Sequence, residues 1–571
     1  FSLRARLREP LLRLPLERPA GQAPWDDWSG ELYAEFARAD ISRLRAHADL
    51  SDWGVSVRSG EGALRAWARV QQGQVQGLTL DLALDGLDLQ LAPDLPDLAL
   101  SQARGRLEAQ WSERGMALGF DDLAFITREG LVWSGARVRL EHTLARERQG
   151  ARTAVQAQAV DLQTVAAIAE RLPLPAHARG WLARLQPRGR VDTLDLVWQA
   201  RGSGPMADHV VARAKGRVSA LALAGEPSGR RSRSGRFPLP GRPGVEGADI
   251  DFDLDQNGGQ ATVAVRQGAF LLPDVFEDPR VALDRFDGRV RWQIKGDSLN
   301  VELDQASLAN AHAEGTVRAR WHTGDPAAQP AQPRLPGVLD LSAQLTRADG
   351  TAVHRYLPLS VPEDARHYVR EAARAGGARQ VGFRIQGLVD DIPFDEARHS
   401  PGTFRIEAAL EGVDFDYLPA ALQPPGEARW PGVRQASARF VLDRGNIHIS
   451  DIRGRLDGAP GVALDQGGVD IEDMAHDTRV RVRAHGQGPA AELLGFAQRS
   501  PVNALTQGAL ATASASGPGE ATVQIELPLR HLKDSTVSGS VKLDGTDLRL
   551  APGAPLLART RDRRSHILLL H

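Results

Sequence analysis

The chain has 571 residues, 42% hydrophobic and 25% charged, and its 70 basic and 72 acidic side chains nearly cancel to a formal charge of −2. That length exceeds what one compact core normally holds, so several domains or a repeating architecture is expected. The balanced charge gives no global field to attract nucleic acid, the ordinary composition argues against wholesale disorder, and the absence of cysteine excludes disulfides, thiolate metal sites and thiol nucleophiles.

The chain opens at Phe1 without a signal peptide, and no run approaches the roughly 18 apolar residues of a membrane-spanning helix. A fragment of a longer chain is expected, with residues 1–24 as its flank and an anchor preceding it. From residue 25 to 160 the dominant pattern is two-residue alternation, which sends successive side chains to opposite faces of a strand. Leu78, Leu80, Leu82 and Leu84 alternate with Thr79, Asp81, Ala83 and Asp85, and after Gly86 the phase switches to Leu87, Leu89 and Leu91. A glycine at a phase switch predicts a bulge or tight turn.

A helical insert is predicted over 161–186, from Val165, Ile168 and Leu172 and then Trp181, Leu182 and Leu185. Alternation resumes over 187–350: Ile250, Phe252 and Leu254 interleave with Asp249, Asp251, Asp253 and Asp255, and Asn257-Gly258 predicts a hairpin into Val263 and Val265. Residues 225–247, carrying Arg230, Arg231, Arg233, Arg236 and Arg242 among Gly, Ser and Pro, and the Pro-rich 324–337 are expected to be exposed loops. For the arginine loop, contact with anionic head groups stands against a simple solvated loop, the plainer expectation.

A second helical insert, 351–377, repeats the first at a spacing of about 185 residues: Leu357-Pro358-Leu359 matches Leu172-Pro173-Leu174, Ser360 with Glu363 forms a possible capping box, and Gly376-Gly377 is the expected stop. Strands return over 378–485, in Phe404 to Leu410, in Phe440 and Leu442 turning through Gly445 to Ile447 and Ile449, and in Val480 and Val482. A short helical insert at 486–501 and a β segment at 502–550 with Val523, Ile525 and Leu527 follow, and 551–571 reads as an irregular end.

A strand with one apolar and one charged face must bury the apolar face against something. With few helices available, the sheet covers itself, or it curls into a trough filled by a ligand. Moving an acyl chain through water costs about 0.8 kcal/mol per methylene, so a two-chain lipid faces on the order of 20 kcal/mol that a continuous apolar lane would largely remove. Periodicity alone does not separate such a lane from a dry core, which is the simpler expectation.

No chemistry stands out. The 15 histidines are scattered, His354 and His367 being the nearest to a pair; there is no His-Glu-x-x-His and no Gly-x-Ser-x-Gly. Ala491 replaces the third glycine after Gly486 and Gly488, and none of Lys215, Lys295, Lys533 and Lys542 follows a phosphate-binding loop. The aspartates of 249–255 suit a soluble outer surface better than a calcium site. The tryptophans are expected to be packing or edge residues. No cofactor or metal is predicted.

Several segments nevertheless resemble the YhdP family, AsmA-like proteins of Gram-negative envelopes. They are Gly60-x-Gly62-x-Leu64-x-x-Trp67, Leu271-Leu272-Pro273-Asp274-Val275-Phe276-Glu277-Asp278-Pro279, Gly288-Arg289-Val290-Arg291-Trp292, Arg355-Tyr356-Leu357-Pro358, Asp391-Ile392-Pro393-Phe394, Asp416-Tyr417-Leu418-Pro419, Trp430-Pro431 and Leu527-Pro528-Leu529. Their order and spacing across roughly 25–550 carry the match. The resemblance implies a mostly β fold, an elongated, twisted, groove-like antiparallel sheet of many short strands with a few helical inserts. It also implies a non-enzymatic periplasmic lipid-transfer bridge, anchored to the inner membrane by a segment absent here. Its partners would be phospholipids, the inner and outer membranes through parts outside this chain, and envelope proteins; no nucleic acid is implied.

The family has no catalytic residues to carry over. The alternation itself nominates the lane surface: Leu80, Leu82, Leu84, Phe252, Leu254, Val263, Val265, Phe404, Ile406, Val480, Val482, Ile525 and Leu527. Two other functions compete with it. A scaffold or assembly factor for outer-membrane proteins would pair client strands at sheet edges, and a β-solenoid enzyme acting on polysaccharide would need clustered exposed carboxylates, which do not stand out.

Overall fold

The computed structural model describes residues 1–8, 27–44, 55–146, 150–174, 176–200, 210–232, 235, 237–325, 334–392, 394, 401–423, 428–474, 476–505, 507–543, 547–551, 558–559 and 565–570. The chain is mostly β and divides into two compact units. The first comprises residues 1–225, 243–271 and 290–295; the second comprises 226–242, 272–289 and 296–571.

In the first unit the strands are β1 (Ser2–Arg8), β2 (Ser29–Asp40), β3 (Ser56–Gln71), β4 (Gln74–Gln90), β5 (Leu98–Ser112), β6 (Gly115–Thr127), β7 (Val132–Thr143), β8 (Arg152–Asp161), β9 (Arg188–Ala200), β10 (Val210–Leu223), β11 (Gly244–Asp255) and β12 (Gly258–Leu271). Each pairs antiparallel with the next, and among the described residues β1 has a sheet partner only in β2, so the sheet is open. The end of β13 (Arg280–Lys295) also belongs here.

The second unit repeats the meander through β14 (Ser298–Ala309), β15 (Ala313–His322), β16 (Val338–Asp349), β17 (Ala373–Leu388), β18 (Gly402–Phe415), β19 (Val433–Asp443), β20 (Asn446–Leu456), β21 (Ala459–Glu472) and β22 (Arg479–Pro489). After the short β23 (Ser514–Ser516) it continues in β24 (Pro518–Pro528) and β25 (Thr536–Leu543). A small separate ladder joins β23 to β26 (Asp547–Arg549) and β27 (Ala558–Arg559). β28 (Ser565–Leu570) pairs with β25, which corrects the irregular end expected there: an apolar run beside an unpaired strand edge completes the ladder.

Up-and-down order gives each sheet two rims with different chemistry. In the first unit one rim holds two-residue turns, Gln72–Gly73, Glu113–Arg114 and Gln256–Asn257, the last one residue earlier than the Asn257-Gly258 turn expected, because Gly258 already belongs to β12. The β7–β8 connection, 144–151, lies on that rim too, and the other rim carries the helices α1 (Ile41–Leu44), α2 (Leu162–Ile168) and α3 (Ala176–Leu185). In the second unit the helices α4 (Glu363–Ala372), α5 (Ala490–Arg499) and α6 (Val502–Leu505) again share a rim, while the connections 323–337 and 389–401 lie on the opposite one.

At the helix ends, α2 starts where the Asp161 carboxylate accepts from the Thr164 N–H at 2.6 Å. The capping box at α4 does not form: Pro362 is the N-cap and no side chain caps the helix. Gly376 and Gly377 do not stop it, since α4 ends at Ala372 and both glycines lie inside β17, where Gly377 pairs with Asp349 of β16 and Glu411 of β18. Residues 486–489 likewise extend β22 rather than opening the third insert.

The arginine-rich 225–247 segment is an ordered arm in its described part rather than a loose loop. Glu226 and Arg242 bridge as a strand pair with an ion pair at 3.1 Å, the Ser228 N–H donates to Asp274 Oδ2 at 2.7 Å, and Leu239 is buried. Backbone hydrogen bonds and one buried leucine override the composition. Arg233, Arg236 and residues 326–333 lie outside the described residues.

Gly86 behaves as the phase switch predicts. It takes φ +59°, and the β3–β4 register slips beside it, so Leu84 and Leu87 are both buried.

Candidate functional site

Directly opposed residues in an antiparallel sheet project to the same face, so the register shows which side chains form continuous rows. In the first unit Leu80 opposes Leu107, and the row runs on through Phe120, Val138, Ala157, Leu194, Gly216, Phe252 and Ala261. A neighbouring row runs from Leu78 through Ala109, Leu118, Leu140, Val155, Leu196 and Ala214 to Leu254. Leu82 opposes Leu64, Val263 opposes Ile250 and Val265 opposes Ala248 on the same face.

The second unit has its own rows. One joins Val317, Ala343, Phe383, Ile406, Leu442, Ile447, Ile471, Val480 and Leu527. Another joins Ala408, Phe440, Ile449, Val469, Val482, Ile525 and Val537. Phe404 opposes Ile385 beside the first of these.

Burial separates the face into two zones. Of the thirteen residues nominated from alternation, Leu84 at 6% and Val265 at 0% exposure are buried; the other eleven are only half-buried. The buried zone follows the insert rim. Leu84, Leu87, Leu98, Leu100, Phe125, Trp133, Ala136 and Ile168 of α2 form one cluster, with Phe125 and Trp133 stacked at 5.3 Å. Dry core and open face are therefore both present, side by side on the same strands.

The opposite face is polar and ion-paired. Arg106 meets Asp81 at 2.6 Å, Arg137 meets Asp121 at 2.5 Å and Arg213 meets Asp253 at 2.9 Å. The second unit continues the theme with Arg320–Glu302 at 2.9 Å, Arg384–Asp340 at 2.6 Å and Arg405–Asp443 at 2.7 Å. Hydrogen bonds from Arg106 hold the Asp81 carboxyl below its usual range. The aspartates of β11 are part of this surface: Asp253 and Asp251 face Arg213 and Arg217, and Asp249 accepts from the Ala220 N–H. Exposed pairs of this kind add little stability each, but they keep the outer face wetted.

No group of metal-ligating side chains occurs among the described residues. His354 is half-buried and contacts the Thr351 carbonyl. Burial pushes the Tyr368 phenol up to about 12, so it stays neutral and donates to the Tyr417 carbonyl at 3.0 Å as a packing contact of α4. One feature escaped sequence reasoning. Phe394, 1% exposed, lies where a Cβ on Gly402 would come within 2.4 Å of its ring, so two opposed glycines, Gly387 and Gly402, make its slot on the apolar face. The glycine pair is visible in the sequence, but its opposition depends on register.

An open antiparallel sheet with one apolar, partly uncovered face and one ion-paired face defines a mostly β protein built around a long apolar surface rather than around a pocket. The family model described as YhdP protein matches residues 3–561, and the chain belongs to that family. No curated protein and no solved structure matches it. No helix among the described residues is long and apolar enough to cross a membrane.

Proposed function

We propose that this chain is a non-enzymatic lipid-transfer segment of the bacterial envelope, its half-buried apolar rows carrying phospholipid acyl chains through the periplasm between inner and outer membranes. The observation that carries this is the continuous register of apolar residues across successive strands, most of its Leu, Val, Ile and Phe half-buried, opposite a face of paired charges. Soluble monomers rarely leave contiguous apolar surface of that extent open. An acyl chain laid on it removes water from both partners, at about 25 cal/mol per Å². Family membership supports the same assignment.

Native mass spectrometry and lipid extraction of the purified chain test it. Stoichiometric phospholipid is expected; lipid-free protein whose apolar face stays dry sinks it. Photocrosslinkers at Leu107 and Ile471 in cells are expected to capture lipid. Capture of outer-membrane protein strands instead would favour a scaffold or assembly role.

A further inference from the structure

Two helical inserts share a sequence signature and differ in what surrounds it. Ala178-Arg179-Gly180-Trp181-Leu182 of α3 matches Ala365-Arg366-His367-Tyr368-Val369 of α4. In α4 the signature is satisfied within the chain. Arg366 is 9% exposed and meets Glu277 at 3.7 Å, and Arg370 meets the same carboxylate at 3.4 Å. The Tyr368 ring lies edge-on to Phe415 while its hydroxyl donates to the Tyr417 carbonyl.

In α3 the signature has no such partners among the described residues. No residue of the helix is buried; it packs against α2 and the turn Ala169–Arg171, with Ala178, Leu182 and Leu185 half-buried on its inner side. His177, Gly180, Trp181 and Arg184, spaced three and four apart, form the exposed side. At 60% exposure Trp181 is the most exposed tryptophan among the described residues. Charge is equally one-sided: there is no acidic residue from Leu172 to Val191. Arg190 pairs with Asp192 at 3.7 Å, whereas Arg179, Arg184 and Arg188 form no ion pair among the described residues.

An exposed indole beside unpaired guanidinium groups is satisfied by apolar surroundings and diffuse negative charge together. A bilayer containing anionic phospholipid supplies both, because its phosphates form a layer of charge directly above hydrocarbon, where tryptophan settles and nearby arginines add attraction. Gly180 and Ala183 beside Trp181 are small enough for the helix to lie close to such a surface. We infer that α3 is a peripheral docking helix for the surface of an anionic phospholipid bilayer, with Trp181 entering the interface and Arg184 and Arg188 meeting phosphates. Ile168 of α2, fixed in the dry cluster, ties the helix to the sheet. The contact is separate from the apolar rows, so it stands or falls without the lane.

Because the chain has no cysteine, the whole protein can carry one environment-sensitive fluorophore. Gly180→Cys places it beside Trp181, where a Cβ meets nothing within 4 Å, and Glu113→Cys places it in the β5–β6 turn as a reference. The probes are vesicles of phosphatidylglycerol mixed with phosphatidylcholine and vesicles of phosphatidylcholine alone. The mixed vesicles are expected to raise fluorescence at 180 several-fold more than at 113, the rise shrinking with added salt, and phosphatidylcholine alone to give little. No rise at 180, an equal rise at 113, or a rise indifferent to lipid charge and salt overturns the docking. Arg184→Gln with Arg188→Gln, and separately Trp181→Ala, are expected to remove most of the rise with thermal melting unchanged, since all three side chains are exposed. A full rise in either variant overturns the roles given to those side chains. Arg184→Lys with Arg188→Lys is expected to dock as well as the unsubstituted helix, because diffuse phosphate charge does not need a guanidinium fork. Loss of docking there points to a protein carboxylate held bidentately and overturns the bilayer as the occupant.

Discussion

Val482→Asp tests the lane at a single position. Val482 is half-buried on the apolar face between Val469 and Ile525, which oppose it on the neighbouring strands. Its face is partly open, so the new carboxylate keeps water and the folded chain loses roughly 1–2 kcal/mol, mainly valine packing. Lipid passage is hit harder. A hydrated carboxylate in the lane leaves about three or four methylenes of a passing chain in contact with water, a barrier of about 2.4–3.2 kcal/mol at 0.8 kcal/mol each. With tenfold per 1.4 kcal/mol, transfer should slow by about 50- to 200-fold. The assay is transfer of fluorescent phospholipid between vesicles, with thermal melting measured in parallel. Gln524→Asp, exposed on the outer face of β24 next to Ile525, is the control and should transfer at the wild-type rate. Equal rates for Val482→Asp and the control, with both folded, would refute the assignment of that face to lipid.

Ile168→Ala in the dry cluster under α2 should cost about 2–5 kcal/mol in denaturant unfolding, because Ile168 is 2% exposed and the cavity cannot fill with water. Gly402→Ala should expel the Phe394 ring, while the same change in a Phe394→Leu background should cost measurably less; additive melting shifts would show that the slot does not couple them. The Asp81 carboxyl, held down by its Arg106 hydrogen bonds, adds stability that is full above the ordinary carboxylate pKa and is lost as pH falls through the lower folded value. With Asp81 about a third and Arg106 about half exposed, the pair contributes less than about 1 kcal/mol. Arg106→Gln should therefore lower stability near neutrality and flatten its fall as pH drops below the ordinary carboxylate pKa of about 4, in acid titration followed by circular dichroism.

Much of the fold was legible because strand geometry is local. A two-residue period places Leu80 and Leu82, or Val480 and Val482, on one face whatever they pair with. The phase switch at Gly86 was readable for the same reason, since only glycine takes that backbone conformation freely. Helix ends were less legible. Ser360 and Glu363 have capping-box spacing, but the chain enters α4 through Pro362, and Gly377 is paired on both sides of β17, with Asp349 and Glu411, while Gly376 sits at a register shift. The arginine-rich segment looked loose by composition, and its described part is tied down by contacts to Asp274, a residue 46 positions from Ser228.

Sequence alone thus determined that nearly every strand has an apolar face, that no catalytic or metal-binding pattern accompanies it, and which side chains lie on that face. Only the tertiary structure decided how those faces join, that Leu80 aligns with Phe252 through six intervening strands, and that dry core and open surface divide the same strands. The physical reason is that side-chain direction is a property of neighbouring residues, whereas register and coverage depend on pairings between residues far apart in the chain.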